Sequence, residues 1–258
     1  MSSVLLEIKN NVGHITLNRP EKFHSFNREM ALLLQDILDE CATNKEVRCV
    51  YLTGSGKAFC AGQDLGEVTG DNPATFDKIL AEHYNPIITR IRNIPKPVVC
   101  AVNGVAAGAG VNIALCCDIV LANESASFIQ AFSKIGLIPD CGGTYFLPRL
   151  IGLQKATALM MLGDKVSAME AERIGMIYKY FPAEIFSEET IKIAETLAQM
   201  PTKAFALTKQ ALNHSLHNNL EQQLHFEDKL QFKAAHTEDY KEGVSAFIEK
   251  RIPTFKGA

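Results

Sequence analysis

Three short apolar runs, Val47 to Thr53, Pro97 to Val102 and Asp118 to Ala122, each end at a glycine or small-residue turn and alternate with segments of helical periodicity. Runs of this length without polar alternation suit strands buried on both faces, and strands separated by helices pair in parallel. The chain is therefore expected to be an α/β protein. In sheets of this kind ligands collect beyond the carboxyl ends of the strands. Gly54 to Leu65 and Asn103 to Asn112, which follow two of the runs, are the places to look for a site.

The flanks read as follows. Val4 to Ile8 and Val12 to Leu17 surround an Asn-Asn turn, which is hairpin chemistry. Met30, Leu33, Leu34, Ile37, Leu38 and Cys41 recur at helical spacing behind a candidate cap, Asn27. Beyond Ser167-Ala168-Met169-Glu170, which has the form of a capping box, the chain turns helical. An apolar face of Ile191, Ala194, Leu197 and Ala198 ends near Pro201, and further helices are expected over 202–216, 220–235 and 238–249. The expected division is a core over 1–195 and a helical C-terminal region over 196–258 that packs against a neighbouring subunit.

Composition narrows the functional classes. A chain of 258 residues that is 47% hydrophobic can bury a large core. Its net charge of −3, with the signs interspersed, offers neither a basic stripe for nucleic acid nor a polybasic membrane anchor. Nothing approaches the roughly 20 apolar residues of a membrane span, and the start lacks the pattern of a secretory signal. The seven cysteines are odd in number and show no zinc spacing, which fits reduced, buried thiols in the cytoplasm. The histidines form no HExxH pair, GxSxG is absent, and Gly54-Ser55-Gly56-Lys57 lacks P-loop spacing. No metal is expected.

Three features remain that can carry chemistry. The small residues of Ala58 to Leu65 let a backbone N–H approach a ligand closely, with Gln63 where the chain turns. Asn103 to Asn112 is rich in small residues just before an apolar helix, whose start supplies free N–H donors for an oxyanion or, equally, allows close helix packing. Asp140 stands between the apolar run Gly136-Leu137-Ile138-Pro139 and the pair Gly142-Gly143. A carboxyl there is a candidate catalytic base, and the same pattern also suits a helix cap. Asp64 and Asp118 are the other carboxylates near these loops.

Leu17 to Lys22, Ala58 to Leu65, Pro97 to Gly110 and Glu242 to Arg251, in this order, resemble the enoyl-CoA hydratase/isomerase (crotonase) superfamily essentially end to end. The resemblance implies a crotonase-like spiral of ββα units with a helical C-terminal subdomain. It also implies homotrimers or dimers of trimers that bind acyl-CoA thioesters. The family's oxyanion hole, two backbone N–H groups, falls on Gln63 and Ala109. The two glutamates with which the hydratases activate water match Asn112 and Phe132, so efficient hydration is not expected. Asp140 falls where dienoyl-CoA isomerases carry a proton-shuttling aspartate.

A finer resemblance, in Tyr84-Asn85-Pro86, Val102 to Gly110 and Ala131 to Thr144, is to isomerases of the superfamily that convert ring-1,2-epoxyphenylacetyl-CoA to an oxepin in phenylacetate breakdown. It implies that Tyr84, Asn112, Phe128 and Phe132 enclose the substrate and that a 3,4 to 2,3 double-bond shift also runs. CoA contacts are implied at Lys22, Ala61, Asp64 and Leu65, with Phe247 and Lys250 reaching over from the C-terminal helix, often of another subunit. No cofactor is implied beyond the CoA of the substrate. A fatty 3,2-enoyl-CoA or dienoyl-CoA isomerase, and a non-catalytic acyl-CoA-binding protein, are the alternatives.

Overall fold

The computed structural model describes residues 2–69, 73 and 75–258. Asn10 and Asn11 take positive φ of 51° and 61°, the combination a two-residue hairpin turn needs and asparagine tolerates. They fold β1 (Val4–Lys9) back on β2 (Val12–Leu17) in antiparallel register. β3 (Cys49–Gly54) then runs parallel to β2 and passes directly into β4 (Ala58–Cys60), which belongs to a second sheet.

That step repeats. β5 (Val98–Val102) beside β3 leads into β6 (Val105–Ala107) beside β4, and β7 (Ile119–Asn123) beside β5 leads into β8 (Ser127–Ile129) beside β6. The chain therefore advances one strand in both sheets at each turn of a spiral, with all these pairs parallel. Asn103 staples two successive turns: its Oδ1 accepts from Gly54 N–H at 3.0 Å, and its Nδ2 donates to the Gly56 and Ala58 carbonyls at 3.0 Å each. β9 (Lys165–Ser167) closes the small sheet antiparallel to β8, and β10 (Lys179–Phe181) extends the large one beside β7.

The large sheet is buried on both faces, as unbroken apolar runs require. Val50, Leu52, Val98, Cys100 and Val102 point inward, to a core shared with the small sheet. Cys49, Tyr51, Val99 and Ala101 point the other way, against a helix described below. The inner face meets α1 (Arg28–Thr43), which Asn27 caps by accepting from Met30 N–H at 3.0 Å. Lys96 closes the far end of α1 by donating to the Cys41 and Asn44 carbonyls at 2.6 and 2.7 Å, groups left free where a helix stops. Each fully buried Leu or Ile of this core contributes roughly 2 kcal/mol. All seven cysteines are free and buried.

Between β4 and β5 lie α2 (Gly66–Thr69), α3 (Phe76–Ile79), a π-helical stretch Leu80–Tyr84 and α4 (Asn85–Asn93). α5 (Ala109–Leu115) follows β6. A 3₁₀ turn Ala131–Ile135, α6 (Gly143–Ile151) and α7 (Leu153–Leu162) follow β8, and α8 (Ala168–Arg173) precedes β10. Ser167 caps α8 by accepting from Glu170 N–H at 3.2 Å.

α9 (Ala183–Gln199) covers the outer face of the large sheet. The division expected at 195/196 falls inside this sheet-packed helix, so the purely helical region starts later, with α10 (Thr202–Ser215), α11 (Leu220–Ala235) and α12 (Glu238–Glu249). α10 is anchored by Lys209, 6% exposed, which donates to Ile91 O at 2.7 Å and Asp118 Oδ2 at 2.6 Å. Burial lowers the Lys209 pKa, and the Asp118 charge opposes that. Asp118 is thus a structural counter-ion. Among the described residues no helix is long and apolar enough to cross a membrane.

Candidate active site

Because β4, β6 and β8 are parallel, they release the chain on one side of the small sheet. The segments that leave them enclose a cavity of about 230 Å³. Ala61 to Gln63 and Leu65 follow β4, Gly108 and Ala109 follow β6, and Ala131, Phe132, Lys134, Ile135, Leu137 and Asp140 follow β8; Phe76 of α3 adds a further wall. The lining is apolar apart from a few polar groups, and three of these converge.

Gln63 pairs with Phe26 in an isolated parallel bridge. Phe26 N–H donates to Gly62 O at 2.7 Å, and Asp64 N–H donates to Phe26 O at 2.9 Å. This pattern uses the groups on either side of Gln63 and turns its own N–H the opposite way. Ala109 is the first residue of α5, and its N–H is among those without an intrahelical acceptor. Neither N–H has an acceptor among the described residues. The two loops touch: a Cβ on Gly62, whose φ is +89°, would lie 3.3 Å from Ala109 N and 3.0 Å from Ala107 O. Two free donors on adjacent turns of an apolar cavity can stabilise negative charge developing on an oxygen, each by about 3 kcal/mol.

Asp140 lines the same cavity, and its Oδ1 is buried without a hydrogen-bond partner. It does not cap a helix: α6 starts at Gly143 behind Gly142, with no side-chain cap. Positive φ at Cys141 and Gly142, 51° and 73°, turns the chain so that Gly143 N–H donates to Asp140 O at 2.8 Å. Burial raises the carboxyl's pKa, while the Cys141 thiol and the residue's own N–H act the other way; the net shift is upward. A carboxyl in this state is a stronger base than an ordinary one, and it can take up a proton and return it.

Of the residues expected to enclose substrate, only Phe132 lines the cavity. Asn112 is fully buried behind the wall, where its Nδ2 donates to Asp140 O at 2.8 Å and its Oδ1 accepts from Gln130 Nε2 at 2.8 Å. A Cβ on Gly143 would run into that Asn112 amide, so a glycine is required there. Phe128 is buried in the core of β8. Tyr84 stands behind Gln63, to whose Oε1 its hydroxyl donates at 3.0 Å. Lys134, Ile135 and Leu137, not anticipated from the sequence, line the cavity because the 3₁₀ turn exposes successive residues to it. No strand or α-helical period marks such a turn.

The residues expected at CoA separate into three places. Ala61 and Leu65 border the cavity. Asp64 is committed to Arg19 at 2.9 Å. Burial would raise its pKa, but bonds from Arg19 and Gly66 N–H and the charges of Arg19 and Lys22 leave it lowered. Lys22, exposed in the turn Pro20–Lys22, thus shares this corner. Phe247, 85% exposed, and Lys250, which ends α12, do not line the cavity; Phe247 borders a groove with Pro201, Gln231 and Tyr240 instead. A roomier cleft of about 430 Å³ lies between α9 and the hairpin side of the large sheet. Gly54, Gly56 and Asn103 line it, but none of the residues expected at the catalytic, substrate or CoA positions does.

A model of the family described as enoyl-CoA hydratase/isomerase matches residues 7–258. The chain is 46% identical to the 1,2-epoxyphenylacetyl-CoA isomerase of Escherichia coli (strain K12), covering 100% of this chain and 99% of that one. It is 34% identical to the 2,3-dehydroadipyl-CoA hydratase of the same organism, over 100% of both. The crystal structure of an enoyl-CoA hydratase from Bacillus anthracis superposes with a TM-score of 0.92 at 35% identity, covering 99% of this chain and 100% of that one. With its strands stepping through two sheets around an apolar cavity, and with these matches along its length, the chain belongs to the enoyl-CoA hydratase/isomerase family.

Proposed function

We propose that this protein is an acyl-CoA isomerase that moves protons on a thioester without adding water. The observation that carries the reading is that two acceptor-free N–H groups, on Gln63 and Ala109, share one cavity with the Asp140 carboxyl, whose Oδ1 is buried and unpartnered. The thioester oxygen accepts from Gln63 and Ala109, which lowers the cost of the enolate. Ionised Asp140 takes a proton from C2 of a 3-enoyl thioester, the electron pair delocalises over oxygen and C4, and the same carboxyl delivers the proton to C4. One carboxyl suffices for this transfer, whereas water addition needs an acid and a base around an ordered water. Asp140 is the one carboxylate lining the cavity among the described residues, since Phe132 is apolar and Asn112 is withdrawn.

The finer reading is that the substrate is 1,2-epoxyphenylacetyl-CoA and the product its oxepin, with the 3,4 to 2,3 double-bond shift as a second activity. It rests on the 46% identity to an isomerase of that name and on the aromatic walls, Phe76 and Phe132. In this reading Lys22, Ala61, Asp64 and Leu65 border the CoA, and Phe247 and Lys250 reach it from a neighbouring subunit of a trimer or dimer of trimers. The enzyme works in the cytoplasm and needs no cofactor beyond the CoA of its substrate.

Mass-spectrometric turnover of a panel holding linear 3-enoyl-CoAs and the phenylacetyl-CoA epoxide tests both levels. Conversion of the epoxide is expected, with at least a roughly 100-fold loss of the double-bond shift in Asp140→Asn. Near-normal turnover by that variant overturns the role of Asp140. Conversion of linear substrates alone replaces the aromatic reading with a fatty enoyl-CoA isomerase, and binding without turnover would make the protein an acyl-CoA carrier.

A further inference from the structure

Tyr84 does not line the cavity, yet it touches Gln63, which supplies one of the two free N–H groups there. Its hydroxyl, on a side chain 1% exposed, donates to Gln63 Oε1 at 3.0 Å. From the other end of the same amide, Gln63 Nε2 donates to Glu67 Oε2 at 3.0 Å, and Glu67 Oε1 accepts from Arg28 N–H at 2.7 Å. A continuous chain thus runs from the start of α1, through α2 and Gln63, to the end of the π-helical stretch.

The chemistry of the two ends permits one arrangement. A carboxylate only accepts, so Glu67 must face the NH₂ of Gln63, which leaves Oε1 for a donor. Tyr84 is that donor, and burial holds its pKa well above the ordinary value, so the phenol keeps its proton. A flipped amide would set carbonyl against carboxylate. The π-helical turn helps place the phenol: Asn85 N–H reaches back to Leu80 O, a five-residue step that adds a residue to the turn just before Tyr84 ends it. Phe26 completes the grip, because its backbone brackets Gln63 while its ring lies 5.8 Å from that of Tyr84.

We propose that Tyr84 is a positioning residue that, together with Glu67, locks the Gln63 side chain so that the Gln63 N–H is held on the substrate's thioester oxygen. The inference rests on the oxyanion role given to Gln63 above. The need for a lock is local: Gly62, at φ +89°, leaves the segment before Gln63 free of side-chain restraint. A displacement of about 1 Å at a reacting centre costs up to about 10²-fold in rate.

Tyr84→Phe keeps the ring and removes only the donor, and Glu67→Ala opens the chain from its other end. Two measurements are made on each. In the free protein, hydrogen–deuterium exchange of the peptide spanning 59–69 is expected to quicken at least about fivefold in both variants. In the complex with an acyl-CoA, the infrared carbonyl stretch of the thioester is expected to be lowered by the wild type, and both variants should lose at least half of that lowering. The rate constant kcat should fall about tenfold or more, with KM within about threefold. Unchanged exchange with an unchanged carbonyl band in both variants overturns the lock, and so does a loss confined to KM. Faster exchange with no carbonyl shift even in the wild type keeps the lock and removes the thioester reading.

Discussion

Asn112 and Asp140, 28 positions apart, are joined by a hydrogen bond from the Asn112 side-chain amide to the Asp140 main-chain carbonyl at 2.8 Å. The position matched to a water-activating acid in the family's hydratases thus serves here to hold the turn that carries the carboxyl. Because the amide also accepts from Gln130, it links α5, the exit of β8 and the start of α6 at one buried point.

Asn112→Ala should therefore damage both stability and rate. It strands the buried Gln130 amide, whose Oε1 already has no partner, and a stranded buried polar group costs about 2 kcal/mol. Tm is expected to fall by roughly 4–8 °C, and turnover at least about tenfold as the Asp140 turn loosens. Differential scanning calorimetry with steady-state kinetics checks this, and an unchanged Tm would contradict the hook. Asn112→Glu is expected to create no hydratase, since the side chain points behind the wall, against Gly143.

Asp140 gives a prediction with a definite sign in pH. Its folded pKa lies above the ordinary 3.8 because burial disfavours the charged form. Between those two values the folded state binds more protons than the unfolded one, so this group's contribution to stability falls as pH rises through that window. Burial of this carboxyl is then a standing destabilisation at neutral pH. Asp140→Asn should have a higher Tm than the wild type at pH 7, with the difference closing as pH drops below 3.8. The acid limb of kcat/KM, which reports the base in the free enzyme, should lie above the usual carboxylate range. Thermal melts across pH decide it, and a lower Tm for the variant at pH 7 would refute the buried charge.

Gly62→Ala attacks the gap between the two amide donors. At φ +89°, with Ala107 O at 3.0 Å and Ala109 N at 3.3 Å from the new Cβ, the methyl strains its own backbone by about 1–3 kcal/mol and pushes the loops apart. A loss in kcat of about 100-fold or more is expected, the range for removing one oxyanion donor. Isothermal titration with a CoA thioester should show a much smaller change in affinity. A fully active variant would mean that the two loops need not touch.

Much of the scaffold is legible in the sequence because its elements carry local signals. The unbroken apolar run of Val98 to Val102, the i, i+3, i+4 pattern from Met30 to Cys41 and the Asn10-Asn11 turn each carry a local physical reason for their form. The loops at Ala61 to Leu65 and Gly108 to Ala109 are legible too, as small residues beyond strand ends. The small sheet is not: β4, β6 and β8 are three residues each, too short for any period. Nor does sequence show where Asn112 and Tyr84 aim, because partners 28 and 21 positions away decide that. Phe128 and Phe132 sit four apart and look alike, yet a 3₁₀ turn sends one to the cavity and leaves the other in the core.

The stepping of the strands divides labour in a way that bears on how such a protein diversifies. Gln63 leaves the first turn of the small sheet, Ala109 the second and Asp140 the third. In the proposed reading, recognition of the thioester belongs to two turns and the fate of the proton to another. The donors on the first two are main-chain groups, which a substitution of side chain does not erase. Selection can therefore rewrite the third turn, and with it the reaction, while the handle common to every acyl-CoA is inherited unchanged.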